Sequence, residues 1–244
     1  MTDGETIRAG EPLKAGEPSP ESDQTYVQAL ALGLDPAWRR LPAGERLAEG
    51  EAFAAALGAD GATRVTCSMV GLEPDVDVLL WRAASSLDAL EESAASLLAA
   101  GLGRSLRVRH SLVGRIGPSQ YVRKPTEQEQ GVLDGSGRYL IVYPFTKSTD
   151  WYLLSREARQ GVMNEHMRVG HEYPQVRQAL LYSFGLDGQD FVVAYETDDL
   201  VAFGELVRAL RSTESRRSTV SDQPILLGIN RPIGEIVRLL GAAA

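Results

Sequence analysis

The apolar residues of this chain switch between a period of two and a period of 3.6 in the order strand, helix, strand, strand, helix, strand, and the order then runs a second time. Few folds satisfy such a repeat. In the first pass, residues 26–32 read as a strand and 36–57 as a helical stretch interrupted by Pro42-Ala43-Gly44. Val65, Cys67 and Met69 alternate with Arg64, Thr66 and Ser68. After a turn over 71–75, Val76, Val78 and Leu80 share a second face, so the two runs form a hairpin. Ser85, with Asp88 three residues on, opens a helix with the stripe Leu87, Leu90, Ala94, Leu97 and Leu98, and Gly101 ends it. Leu106, Val108, His110 and Leu112 then alternate with polar residues as a strand with one apolar face.

The second pass has a strand over 139–143, a helix over 155–169 and a hairpin of 180–186 with 191–196 about Asp187-Gly188. Leu200, Phe203, Leu206, Val207 and Leu210 make a helical stripe, and 225–229 closes the unit as a strand. Each pass is ferredoxin-like. The expected fold class is therefore α+β: two fused ferredoxin-like units forming a dimeric α+β barrel. The expected organisation is a disordered tail over 1–24, an N-terminal unit over 25–116, a connecting loop over 117–138 and a C-terminal unit over 139–244. The tail is rich in Gly, Pro, Ser and Glu and repeats Ala9-Gly10-Glu11-Pro12 at 15–18. The connection is polar and too long for an ordinary turn, which suggests a linker or a functional loop.

Composition narrows the partners. With 33 acidic and 25 basic side chains, a net charge of −8 provides no field for phosphate backbones, so nucleic acid is not expected. No apolar run approaches the roughly 18 residues of a membrane span, and no apolar segment follows a basic N-terminus, so the expectation is a cytoplasmic protein without a span or secretory signal. Cys67 is the only cysteine; it fits a reducing compartment and leaves no zinc-type spacing.

Two clusters carry candidate chemistry. His166 lies on the second-pass helix with Val162 four residues before and Val169 three after, which directs its imidazole along the apolar face. Spacing alone fits a core histidine satisfied by a carbonyl as well as a metal ligand. His110 sits on an apolar strand face, and His171 is expected near a helix end; neither has a partner at metal spacing. At a strand end, Tyr143-Pro144-Phe145-Thr146-Lys147 is followed by Trp151-Tyr152, and positions 143, 145 and 147 share one face. That face either lines a cavity or holds a packed aromatic and a solvated lysine.

The run Tyr143-Pro-Phe-Thr-Lys147, then Trp151-Tyr152-Leu-Leu, Glu165-His166, Tyr173 and Gln175-Val176-Arg177-Gln178 resembles the chlorite dismutase superfamily and, within it, the coproheme decarboxylase branch. Phe184 to Asp187, Phe191 to Asp199 and Leu210-Arg211-Ser212-Thr213-Glu214 are similar to the wider superfamily, so the likeness covers most of 139–229. The resemblance implies a homopentamer with one haem per C-terminal unit, held by a single axial histidine, here His166, with Glu214 a candidate acceptor for its second nitrogen. It implies Gln178 on the opposite haem face if counted back from Gly185, or Ala179 if counted forward from His166. Chlorite dismutases carry an arginine there, and neither residue is cationic. It further implies Tyr143 as the oxidised intermediary and Lys147 beside it, with Arg211 and Tyr121 near propionates. Phe145 and Trp151 belong to the substrate-binding set, and Phe145 and Arg216 depart from the Met and Ser of some members.

The implied substrate and cofactor is coproheme, with hydrogen peroxide as oxidant. The resemblance implies a tyrosyl radical that takes hydrogen from a propionate, with carbon dioxide leaving, and two such rounds giving haem b. A chlorite dismutase or peroxidase, a non-catalytic haem-binding protein and a cofactor-free barrel are the competing readings.

Overall fold

The computed structural model describes residues 24–117, 119, 121 and 132–242. The expected tail lies outside them except for its last residue, as does most of the expected connection. The first pass comprises β1 (Tyr26–Leu34), α1 (Ala43–Ala59), β2 (Thr63–Glu73), β3 (Val76–Ala84), α2 (Leu87–Ala99) and β4 (Leu106–Arg115). The second comprises β5 (Tyr139–Lys147), α3 (Thr149–Leu153), α4 (Arg156–Gly170), β6 (Arg177–Tyr182), β7 (Phe191–Thr197), α5 (Leu200–Leu210), β8 (Thr219–Ser221) and β9 (Leu226–Asn230), and α6 (Ile233–Leu240) follows. Eight strands form a closed antiparallel ring in the order β7-β6-β4-β1-β3-β2-β9-β5, with β5 returning to β7, and β8 lies outside the ring as a flap on β5. Closure leaves the ring without an edge. The α+β barrel expected from the repeat is the observed fold.

Alternation sorts the side chains into three layers. Val27, Ala29, Cys67, Leu79, Trp81, Leu140, Val142, Val192 and Ala194 point into the barrel. Leu30, Leu32, Phe53, Leu80, Leu97 and Trp38 form a second core between the first-pass sheet and α1 and α2. Ile141, Val193, Tyr195 and Leu206 form a third beneath α5. The seams between the two halves are short. β4 meets β6 only at Arg115↔Tyr182, and β2 meets β9 at Cys67↔Asn230 and Ser68↔Ile229. The closing helix α6 crosses the second seam and buries Ile236, Val237 and Leu240 in the core of the first half. Gly50 permits this approach, since a Cβ there would stand 2.3 Å from Val237.

Several local expectations are corrected. The interruption expected at Pro42-Ala43-Gly44 in the stretch over 36–57 falls at Leu41-Pro42, between a 3-10 turn, Pro36–Arg40, capped by the Asp35 carboxylate, and α1. The cap of α2 is Ser86 rather than Ser85, its Oγ accepting from Ala89 N at 3.1 Å. A register shift between Ala31 and Leu32 in the β1–β4 ladder moves β4 from one face to the other: Leu112 packs inside the barrel and Leu106 under the helices, while Val108 is 47% exposed. The single apolar face drawn through Leu106, Val108, His110 and Leu112 therefore does not exist. Val76 likewise faces the interior while Val78 and Leu80 face the helices. Among the described residues, no helix is long and apolar enough to cross a membrane.

Candidate functional site

The site forms where the second-pass sheet turns its outer face toward α4 and α5. Strand pleating puts Tyr143, Phe145 and Lys147 on that face of β5, with Val193 and Tyr195 beside them on β7. Pro144 interrupts no ladder bond to a second neighbour, because β9 pairs with β5 only up to Val142 and the pairing with β8 starts at Thr146. The opposite wall is α4, whose N-cap Ser155 accepts from Ala158 N at 3.2 Å and whose Met163 and His166, three residues apart, face the same space. Leu210 of α5 and its C-cap Arg211, Ser215 and Arg216 of the 3-10 turn Glu214–Ser218, and Asp222 complete a cleft of about 130 Å³.

Its electrostatics are set by burial. His166 is pushed down to about 4, chiefly by desolvation and secondarily by the charge of Lys147, so its imidazole is neutral at pH 7. Its Nδ1 lies 3.0 Å from Ser215 Oγ. The Glu214 carboxylate instead meets Arg217 at 3.3 Å, and its backbone N–H donates to Glu165 at 3.0 Å. The hydroxyl of Ser215, rather than Glu214, is thus the histidine's partner. Lys147 is pushed down to about 8 by desolvation, with Arg216 adding to the shift. Its ammonium donates to Ser215 O at 3.0 Å and Thr219 Oγ1 at 3.2 Å and sits 4.8 Å above the Trp151 ring. One of its three donors remains for a ligand. Arg216 and Arg211 lie 2.7 and 3.8 Å from the Asp222 carboxylate. Burial raises the Tyr143 phenol, whose oxygen is 3.5 Å from that of Tyr195, so both phenols are protonated.

Tyr143, Phe145, Lys147, His166 and Arg211 therefore share one cleft. Trp151 is 3% exposed and stands behind Lys147 rather than on the lining. Gln178 is paired in register with Tyr195, on the outer face of the sheet, whereas Ala179 points into the barrel core; of the two alternatives for the distal position, only Gln178 is on the site's side. Tyr121 accepts through its carbonyl from Gln160 Nε2 at 3.3 Å, toward the N-terminal end of α4 and away from the lining. Sequence reasoning missed Met163, Tyr195, Ser215 and Asp222. Met163 was reachable from its spacing to His166; the others enter through tertiary packing alone.

A neutral imidazole, three cations set against the single carboxylate of Asp222, and apolar walls suit a carboxylate-bearing ligand with a metal centre. The Chlorite dismutase family model matches residues 44–231. Coproheme decarboxylase of Mycolicibacterium smegmatis is 30% identical over 170 residues, covering 66% of this chain and 69% of that one. Chlorite dismutase of Ideonella dechloratans is 32% identical over 105 residues, covering 42% and 37%. Among solved structures, a mutant chlorite dismutase from Candidatus Nitrospira defluvii superposes with a TM-score of 0.81 at 28% identity, over 89% of this chain and 95% of that one. Since the family match takes in both halves of the barrel and every residue of the cleft, the chain belongs to the chlorite dismutase family.

Proposed function

We propose that the protein binds coproheme and converts it to haem b by peroxide-dependent oxidative decarboxylation. The observation that carries this reading is the grouping of Tyr143 and Lys147 on one strand face across the same cleft as a neutral His166. His166 serves as the single protein ligand to iron, which a neutral imidazole suits and an imidazolium does not. Arg211, Arg216 and the free donor of Lys147 suit the propionate carboxylates, which need partners once out of water. Phe145, Met163, Val193 and Val207 supply apolar contact for the macrocycle.

Coproheme, when bound, would supply to the site the oxidising equivalents of peroxide. Tyr143 would give up one hydrogen atom, as a proton and an electron, and recover one from the β-carbon of a propionate. Each round consumes one propionate, one hydrogen peroxide and one proton and gives one vinyl group, one carbon dioxide and two waters. Lys147 orients the reacting carboxylate. The single useful experiment is incubation with coproheme and peroxide followed by mass analysis of the pigment; unchanged coproheme after peroxide consumption overturns the reading.

The second reading, conversion of chlorite to chloride and oxygen, is favoured by the Ideonella dechloratans and Nitrospira relatives. Against it, the site side of β6 offers neutral Gln178, and adjacent Arg177 is engaged with Asp134 at 3.0 Å and Glu196 at 3.4 Å. An oxygen electrode separates the two. Haem binding without turnover is the third reading. A homopentamer in the cytoplasm is part of this proposal, and light scattering of the loaded protein tests the assembly.

A further inference from the structure

A chain of hydroxyls leads from His166 away from the cleft. Ser215 Oγ lies 3.0 Å from His166 Nδ1 and 3.2 Å from Thr213 Oγ1, and Thr213 Oγ1 lies 2.7 Å from the carbonyl oxygen of Leu210. Each hydroxyl has one hydrogen to donate, and a carbonyl oxygen only accepts. At 2.7 Å the Thr213 hydrogen must lie between the two oxygens, since their lone pairs would otherwise face each other. With that hydrogen committed, the one in the Thr213–Ser215 contact comes from Ser215. Ser215 then has only lone pairs left for the imidazole. Thr213 and Ser215 are 6% and 4% exposed, so solvent offers neither an easy alternative partner.

We infer that the Ser215–Thr213 relay holds His166 as the Nδ1–H tautomer, which leaves the Nε2 lone pair as the one available to a metal. The relay reverses the preference of a histidine side chain in water, which favours the proton on Nε2. It also explains how a site without a carboxylate on the histidine fixes the ring: a backbone carbonyl, two hydrogen bonds removed, sets the direction of the whole chain. Ser215 and Thr213 are accordingly positioning residues. The tautomer follows from the hydrogen-bond chain alone, and only the affinity measurement below rests on the proposed role of His166 as iron ligand.

The test is long-range proton–nitrogen correlation spectroscopy of the full-length, porphyrin-free protein labelled on histidine nitrogens, near neutral pH, with the His166 signals assigned by their loss in His166→Ala. The parent should show a protonated Nδ1 and an unprotonated Nε2. Thr213→Val keeps the side-chain shape but removes the acceptor, so the Ser215 hydrogen turns toward Nδ1 and the Nε2–H form grows; Thr213→Ser should keep the parent pattern. Ferric haem b titrations should weaken about 10–100-fold in Thr213→Val and not in Thr213→Ser. A parent His166 protonated on Nε2 overturns the relay whether or not the variants fold, and so does a folded Thr213→Val with the parent tautomer. A shifted tautomer with unchanged haem affinity supports the relay and instead overturns His166 as the iron ligand.

Discussion

Tyr143 and Lys147 leave the same face of β5 on either side of Phe145, yet their burial makes different demands on them. Desolvation keeps the Tyr143 phenol protonated throughout the physiological range, so the residue is ready to lose a hydrogen atom rather than to act as a base. Phenylalanine nearly matches its shape without the O–H. Tyr143→Phe is therefore expected to bind coproheme and keep the parent's thermal stability while forming no vinyl product, and divinyl product at the parent rate would falsify the radical role. For Lys147 the same burial costs charge. Its ammonium loses its proton as pH rises through about 8, well below the ordinary lysine range, and with it the attraction for a carboxylate. The kcat/KM for coproheme, which reports the free protein, should fall as pH rises above about 8, and this limb should disappear in Lys147→Ala at a uniformly lower rate. His166 carries a third sign. Its folded-state value near 4 lies below that of an unfolded histidine near 6.5, so between those limits the unfolded chain binds more protons. Porphyrin-free stability should rise with pH from about 4 to 6.5, with a shallower slope in His166→Phe, as read by urea melts at each pH.

The elements that hold these residues were legible to different degrees. The stripe of α5 carried the second-pass helix, because that helix has one face to the core and one to solvent, whereas β5 reads as a strand only through its run of β-branched and aromatic residues, Leu140 and Val142 lying inside the barrel and Ile141 under α5. The first pass blurs where both faces are covered: β3 is buried from Val78 to Ala83, so its sequence runs Val, Leu, Leu, Trp, Arg, Ala without a clean period of two. Arg82 is 0% exposed within that run, its guanidinium 3.8 Å from Asp60 and bonded to the Leu90 carbonyl at 3.1 Å, a partnership across three elements that no local pattern announces. The cleft divides in the same way. Pleat and helix spacing put Tyr143, Phe145 and Lys147 on one face and His166 on the apolar side of its helix, whereas Ser215 lies on a 3-10 turn and Asp222 just after a short flap, and only the assembled barrel determines their positions. A helix-level prediction follows from the cap of α5, where the Asp199 carboxylate accepts from Val201 N and Ala202 N at 2.9 and 3.0 Å. Asp199→Ala should cost about 1 kcal/mol in urea unfolding and loosen coproheme binding, since α5 carries Leu210 and Arg211 into the cleft.

At the scale of the molecule, the two halves repeat one plan but are not independent. Each seam has one or two residue pairs, while β1 pairs with β3 along most of its length, so ladder bonds alone bind the halves weakly. The shared barrel interior and α6 join them more firmly, because burial of Ile236 against the first half draws on residues from both ends of the chain. Ile236→Ala is expected to cost about 2–5 kcal/mol and to leave a single urea transition; two separated transitions would mean the halves fold apart. The tryptophans occupy three separate places: Trp81 inside the barrel, Trp38 under the first-half helices and Trp151 behind Lys147. The chain has only these three. Nature has in effect placed one fluorophore per compartment, so replacing two at a time with phenylalanine yields three optical reporters. Loss of Trp151 emission when a porphyrin docks, seen apart from the signals of Trp38 and Trp81, then follows ligand arrival in real time while the other two record whether the barrel or its jacket responds.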